Sequence, residues 1–100
     1  MIKHIVAWTL KDHAKGNDKA TNARLMQEMF AGLRGKIPGM IKLETGIDFS
    51  KTDASYDVML YTEFESKEAL AGYQAHPDHK ALMPFIAEVR VGRMLVDYEV

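Results

Sequence analysis

The chain contains no cysteine. That absence excludes disulfides, thiolate nucleophiles and zinc–thiolate sites together. No apolar run approaches the roughly 18 residues of a membrane-spanning helix. Blocks of like charge are missing too. Thirteen basic and fourteen acidic residues are interspersed, for a net charge of −1, so the basic stripe of a nucleic-acid binder is not there. Proline is scarce, at three residues, and each one marks a break in a pattern. Nor is there a Gly-rich phosphate loop, a Ser-His-Asp arrangement or a pair of carboxylates placed for acid–base work.

What is present is the composition of an ordinary soluble domain. With 100 residues, 47% hydrophobic and 27% charged, one domain spanning residues 1–100 is expected. Met1-Ile2-Lys3-His4 passes straight into a strand pattern and not a signal peptide, so a cytoplasmic location is expected.

The densest chemistry lies between Tyr56 and His79. Val58, Leu60, Thr62 and Phe64 alternate with Met59, Tyr61 and Glu63, the period of a strand. Ser66 is placed to cap a helix that begins with Lys67, Glu68, Ala69 and Leu70. Pro77 pushes His76 out of helical backbone angles, so the helix ends there. Tyr73, His76 and His79 gather around that break.

The remaining chain is read in order. Ile2 to Leu10 is a strand with apolar residues on both faces, hence a central one: Ile2, His4, Val6, Trp8 and Leu10 share one face, Lys3, Ile5, Ala7 and Thr9 the other. Lys11 to Gly16 reads as a loop, with Asn17 or Asp18 as the cap of a helix over Lys19–Arg34. Gly35 suits the position past its end. Ile41, Leu43, Thr45, Ile47 and Phe49 mark a second strand, after which Ser50–Ser55 is a polar hairpin loop. Lys80 to Val89 is helical again, with Pro84 starting a new turn. Gly92 precedes a last strand, Arg93–Val100.

Strand, helix, strand, strand, helix, strand is the order of an α+β, ferredoxin-like plan: a four-stranded antiparallel sheet with helices on one face. The first and third strands are central there, and their other face carries Ile5, Ala7, Met59 and Tyr61. An apolar sheet face of that size marks an interface. A homodimer through the sheet is the simplest way to cover it.

The residues that complete the picture are Ile2-Lys3-His4-Ile5-Val6, Ile37-Pro38-Gly39-Met40, Gly46 with Asp48-Phe49-Ser50, Tyr56-Asp57, Phe64-Glu65-Ser66, Tyr73 with His76-Pro77-Asp78-His79, and Val96-Asp97-Tyr98-Glu99. With them the chain resembles, end to end, the stress-responsive A/B barrel (Dabb) family of dimeric α+β barrels. The resemblance implies two sheets facing each other in a dimeric barrel and a cavity in each protomer between sheet and helices. A link to stress enters only through the family's name. One enzymatic branch, the plant polyketide cyclases, closes its substrate by an intramolecular aldol reaction with a Tyr and His pair. Tyr73 and His79 match that pair, and His4 matches a pocket histidine. Val58 stands where the cyclases carry a further histidine.

Tyr73 and His79 are therefore the candidate acid and base. The alternative is that Tyr73 packs helix against sheet and donates one buried hydrogen bond, while His79 satisfies backbone around Pro77. His4, Val6, Trp8, Val58 and His76 are the expected ligand-binding residues. His4 can equally be a hydrogen-bonded core histidine. His76 and His79 straddle Pro77 with no matched carboxylate, so no metal site is expected, and no cofactor is implied. His13 lies in a polar loop and is expected to be solvated. The methionines sit at helical and strand spacing as adaptable core packing. Trp8 invites comparison with cofactor-free monooxygenases of the same architecture, by fold analogy alone.

Three readings follow: a homodimer whose cavity binds a small hydrophobic or aromatic ligand, a cofactor-independent acid–base enzyme acting on a polyketide-like carbonyl compound, and a scaffold without pocket chemistry. An open cavity reaching Tyr73, His79 and His4 favours the first two; a filled one favours the third. No nucleic-acid or membrane partner is expected.

Overall fold

The two-sided apolar pattern of β1 (Ile2–Leu10) puts it in the middle of the sheet. The structure, a computed structural model, describes all of residues 1–100. β5 (Val58–Phe64) and β6 (Arg90–Glu99) flank β1, and β4 (Met40–Ile47) lies outside β5; every adjacent pair runs antiparallel. The fold is the α+β ferredoxin-like one, with a four-stranded antiparallel sheet and helices over one face.

On that face Ile2, Val6, Trp8 and Leu10 of β1 are buried with Val58, Leu60 and Phe64 of β5. They meet Met26 and Phe30 from α1 (Lys19–Ala31), Leu70 and Tyr73 from α2 (Lys67–Ala75), and Ile86 and Val89 from α4 (Met83–Val89) in a single core. Trp8 stacks on Phe30 at 5.6 Å between ring centroids.

Several boundaries differ from the sequence reading, each for a local reason. Residues 13–18 are not a plain loop. His13–Ala14 (β2) and Asn17–Asp18 (β3) pair in a small hairpin turned by Lys15 and Gly16, both at positive φ, as a tight two-residue turn requires. The buried Asn22 holds that hairpin by donating to the Ala14 carbonyl and accepting from Asn17. Asp18 then caps α1 by accepting from the Thr21 N–H. α1 stops at Ala31, not Arg34, because the next turns tighten to three-residue hydrogen bonds, from Leu33 to Phe30 and from Lys36 to Leu33. Past them Gly35 has the expected positive φ.

The expected helix over Lys80–Val89 is instead α3 (Pro77–Lys80) and α4. Pro77 and Pro84 each occupy a first-turn position, where a missing N–H costs nothing. β5 begins at Val58, and just before it the Asp57 N–H donates to the Trp8 carbonyl. β6 starts earlier, at Arg90, and runs through Gly92. The register shifts between Thr9 and Leu10, where the Thr9 hydroxyl accepts the Gly92 N–H at 2.8 Å. A Cβ on Gly92 would meet that oxygen at 2.8 Å, so glycine here belongs to a bulge inside the strand and not to its approach.

The sheet's other face is bare. Ile5 and Ala7 lie beside Met59 and Tyr61 on β5 and Met94, Val96 and Tyr98 on β6. Val96 and Tyr98 are 47% and 42% exposed, with no helix over them.

Candidate functional site

The cavity lies where β1 and β6 pass under α2, α3 and α4. It holds about 320 Å³ and is partly open, toward the lower end of ligand pockets. Its floor is Val6 and Trp8 from β1, Leu60 from β5 and Phe30 from α1; Met83, Ile86 and Ala87 of α4 form one wall. Three ring side chains carry its polar end, His4 from the sheet, Tyr73 from α2 and His79 from α3.

Tyr73 is the centre of that group. It is 1% exposed, and its ring lies 6.0 Å from that of His4 and 4.4 Å from that of His79. Its hydroxyl is buried and has no hydrogen-bond partner. Burial pushes the phenol far above its ordinary range, so it is a neutral donor. The buried hydrogen bond of the packing alternative is therefore absent. An unsatisfied buried hydroxyl is costly, and this one belongs to a residue that lines the cavity.

His79 sits in the first turns after the break at His76. Its Nδ1 lies 3.3 Å from the Gln74 carbonyl, which can only accept, so Nδ1 carries the proton and Nε2 the lone pair. Burial lowers its pKa, only partly opposed by the Gln74 carbonyl, and the nearby His4, Arg93 and His76 lower it further. At neutral pH it is an uncharged imidazole, the form that takes up a proton.

His4 is 3% exposed and points Nδ1 at Oδ1 of Asp97, 2.5 Å away across the β1–β6 ladder. A carboxylate behind a histidine fixes its tautomer and orientation. Its main-chain carbonyl accepts from the buried Thr62 hydroxyl, which locks the strand at the same point.

Five of the seven predicted residues thus converge: Tyr73, His79, His4, Val6 and Trp8. Val58 and His76 stand outside. Val58 faces the core at the far end of β5, level with Trp8 and Ile47 and 1% exposed. His76 is the cap of α3, its Nδ1 accepting the Asp78 N–H, because Pro77 leaves Asp78 with the first free donor of that helix. No cluster of three His, Asp or Glu side chains is placed to hold a metal. Sequence reasoning overlooked Asp97, Arg90 and Arg93. The alternation of Arg93, Leu95 and Asp97 was legible, but not which face of β6 meets the helices.

Fold and site together define a ferredoxin-like α+β protein with an imidazole- and phenol-lined cavity beneath its helices. A model of the Stress responsive A/B Barrel Domain family matches residues 2–100, and the chain belongs to that family. Among solved structures it is similar to a dimeric protein of unknown function and ferredoxin-like fold from Bacteroides fragilis. The two are 30% identical with a TM-score of 0.86, over 99% of this chain and 95% of that one. It is also similar to an Arabidopsis thaliana protein, at 26% identity and TM-score 0.79 over 100% and 95% of the two chains. A putative antibiotic biosynthesis monooxygenase from Nitrosomonas europaea, 17% identical with TM-score 0.76 over 100% and 98%, shares the fold alone. No curated protein matches the chain.

Proposed function

We propose that this chain works as a homodimer, sheet against sheet, and that each cavity binds a small, largely apolar molecule through a carbonyl or enol oxygen. The observation that carries the ligand reading is the buried, unpartnered Tyr73 hydroxyl between two imidazoles at the end of an apolar cavity. A ligand oxygen there would satisfy a buried hydroxyl that the fold leaves unpaired. The dimer is supported by the bare face of Ile5, Met59, Val96 and Tyr98 and by the description of the Bacteroides fragilis relative as dimeric. A stable pairing of this kind buries about 1,200–2,000 Å² in total.

A catalytic reading of the same site rests on the state of His79. A neutral imidazole with its lone pair on Nε2, beside a phenol that stays protonated, is an acid–base pair. His79 would take the proton from carbon next to a carbonyl while the Tyr73 hydroxyl stabilises the developing oxyanion. Mass spectrometry of protein purified without stripping, followed by ligand-observed NMR with aromatic ketones, tests the binding. Ketones that contact the protein equally in the wild type and in a cavity-filling Ala87→Trp variant would refute it.

A further inference from the structure

Two arginines stand beside the cavity with nothing to pair with. Arg90 and Arg93 both line it, yet neither guanidinium takes part in an ion pair or hydrogen bond. The nearby carboxylates are engaged elsewhere: Glu88 contacts Lys15, and Asp97 sits behind His4. The lining therefore holds two cations and no anion. Residues three apart on a regular strand point to opposite faces. Here the bulge at Thr9 and Gly92 brings both to the helix side, Arg93 level with Trp8 and Arg90 level with Leu10. This local departure from strand geometry aims two like charges at one opening.

We infer that the ligand is a carboxylate, an aromatic or acyl acid whose charged group is held by Arg90 and Arg93 while its apolar body lies over Val6 and Trp8. This rests on the cavity being a ligand site, as proposed above. The planar guanidinium fork matches the two oxygens of a carboxylate. Both arginines are exposed, so they occupy the solvent side of the cavity, and the acid enters apolar end first. Its inner carbonyl or ring hydroxyl then reaches Tyr73. The face used for sheet-to-sheet pairing is the opposite one, so dimerisation leaves both arginines free.

The test uses a naphthoate bearing a ring hydroxyl away from the acid and its neutral isostere, the matching naphthamide, titrated calorimetrically into wild type, Arg90→Gln/Arg93→Gln and Tyr73→Phe proteins. Naphthoate should bind wild type about tenfold more tightly than naphthamide, the size of one charge-assisted contact. The preference should shrink at high salt and vanish in the double arginine variant, with naphthamide affinity unchanged there. Tyr73→Phe should weaken both probes equally. Equal affinity of wild type for the two probes, or a preference that survives in the double variant, overturns the carboxylate assignment and leaves the ligand cavity standing. Failure of both probes to bind overturns the assignment together with the cavity reading beneath it.

Discussion

His4 and Asp97 face each other across the β1–β6 ladder, joined by a hydrogen bond of 2.5 Å between Nδ1 and Oδ1. The histidine is 3% exposed, and the carboxylate is the partner its ring N–H has in the fold. Asp97→Ala should therefore lower stability by about 1–3 kcal/mol, the cost of a stranded buried donor. Urea unfolding with an unchanged m-value checks it, and a loss within error of zero would show that His4 finds another partner.

Tyr73→Phe should behave in the opposite way. The deleted hydroxyl has no partner to lose, so thermal stability should hold or rise, within about 1 kcal/mol. Binding of an aromatic ketone should fall by up to about tenfold, one hydrogen bond. Calorimetry showing lower stability with unaltered binding would return Tyr73 to a packing role.

The lowered pKa of His79 has a sign for stability as well. The unfolded chain takes up a proton near the ordinary histidine value, while the folded protein resists it. The unfolded state therefore binds more protons in that window, and stability falls as pH drops below the unfolded value of about 6.5. His79→Gln should flatten this slope. NMR titration of the His79 ring carbons should find its midpoint below the ordinary value, and a midpoint at or above it would contradict the burial argument.

Gly39 carries two demands at once. Its φ is +78°, and a Cβ there would stand 2.6 Å from the Cβ of Ala69 on α2. Gly39→Ala should cost more than about 1 kcal/mol, read as a drop in melting temperature. Gly16→Ala is the control: it shares the positive φ with open space around it, and should cost less.

A charge on the bare sheet face should separate the protomers. Met59 is 36% exposed and lies beside Ala7, so Met59→Glu changes little in the isolated protomer but would bury an unpaired carboxylate in a sheet-to-sheet dimer. Analytical ultracentrifugation should show dimer for wild type and monomer for the variant. A wild-type monomer at micromolar concentration would remove the dimer proposal.

The sheet was legible because strand alternation is a short-range signal. Ile2, His4, Val6, Trp8 and Leu10 declare their common face by spacing alone, and Pro77 declares the end of α2. Ser66 and Asp18 are caps in the structure as in the reading. Asp97 was hidden because its meaning depends on a partner 93 residues away. The hairpin of residues 13–18 escaped because its polar residues have no periodicity, and its hold on α1 comes from the single buried side chain of Asn22. Val58 was drawn toward the cavity by the resemblance, whereas the fold buries it in the core, outside the cavity lining.

The bulge beside Gly92 divides β6 into two phases. Downstream of it, odd-numbered residues from Arg93 to Asp97 look toward the helices and even-numbered ones from Met94 to Tyr98 look away; upstream, at Arg90, the parity is reversed. A one-residue deletion at Val91, itself 67% exposed and outside the ladder register, would restore a single phase. That change would leave Arg90 opposite Leu10 on the helix side, two strand positions from Arg93. A strand that kept Val91 and lost the bulge would instead turn Arg90 to the opposite side of the sheet. The bulge thus absorbs one surplus residue without changing what stands at the cavity entrance, and the entrance depends on the strand breaking its register there.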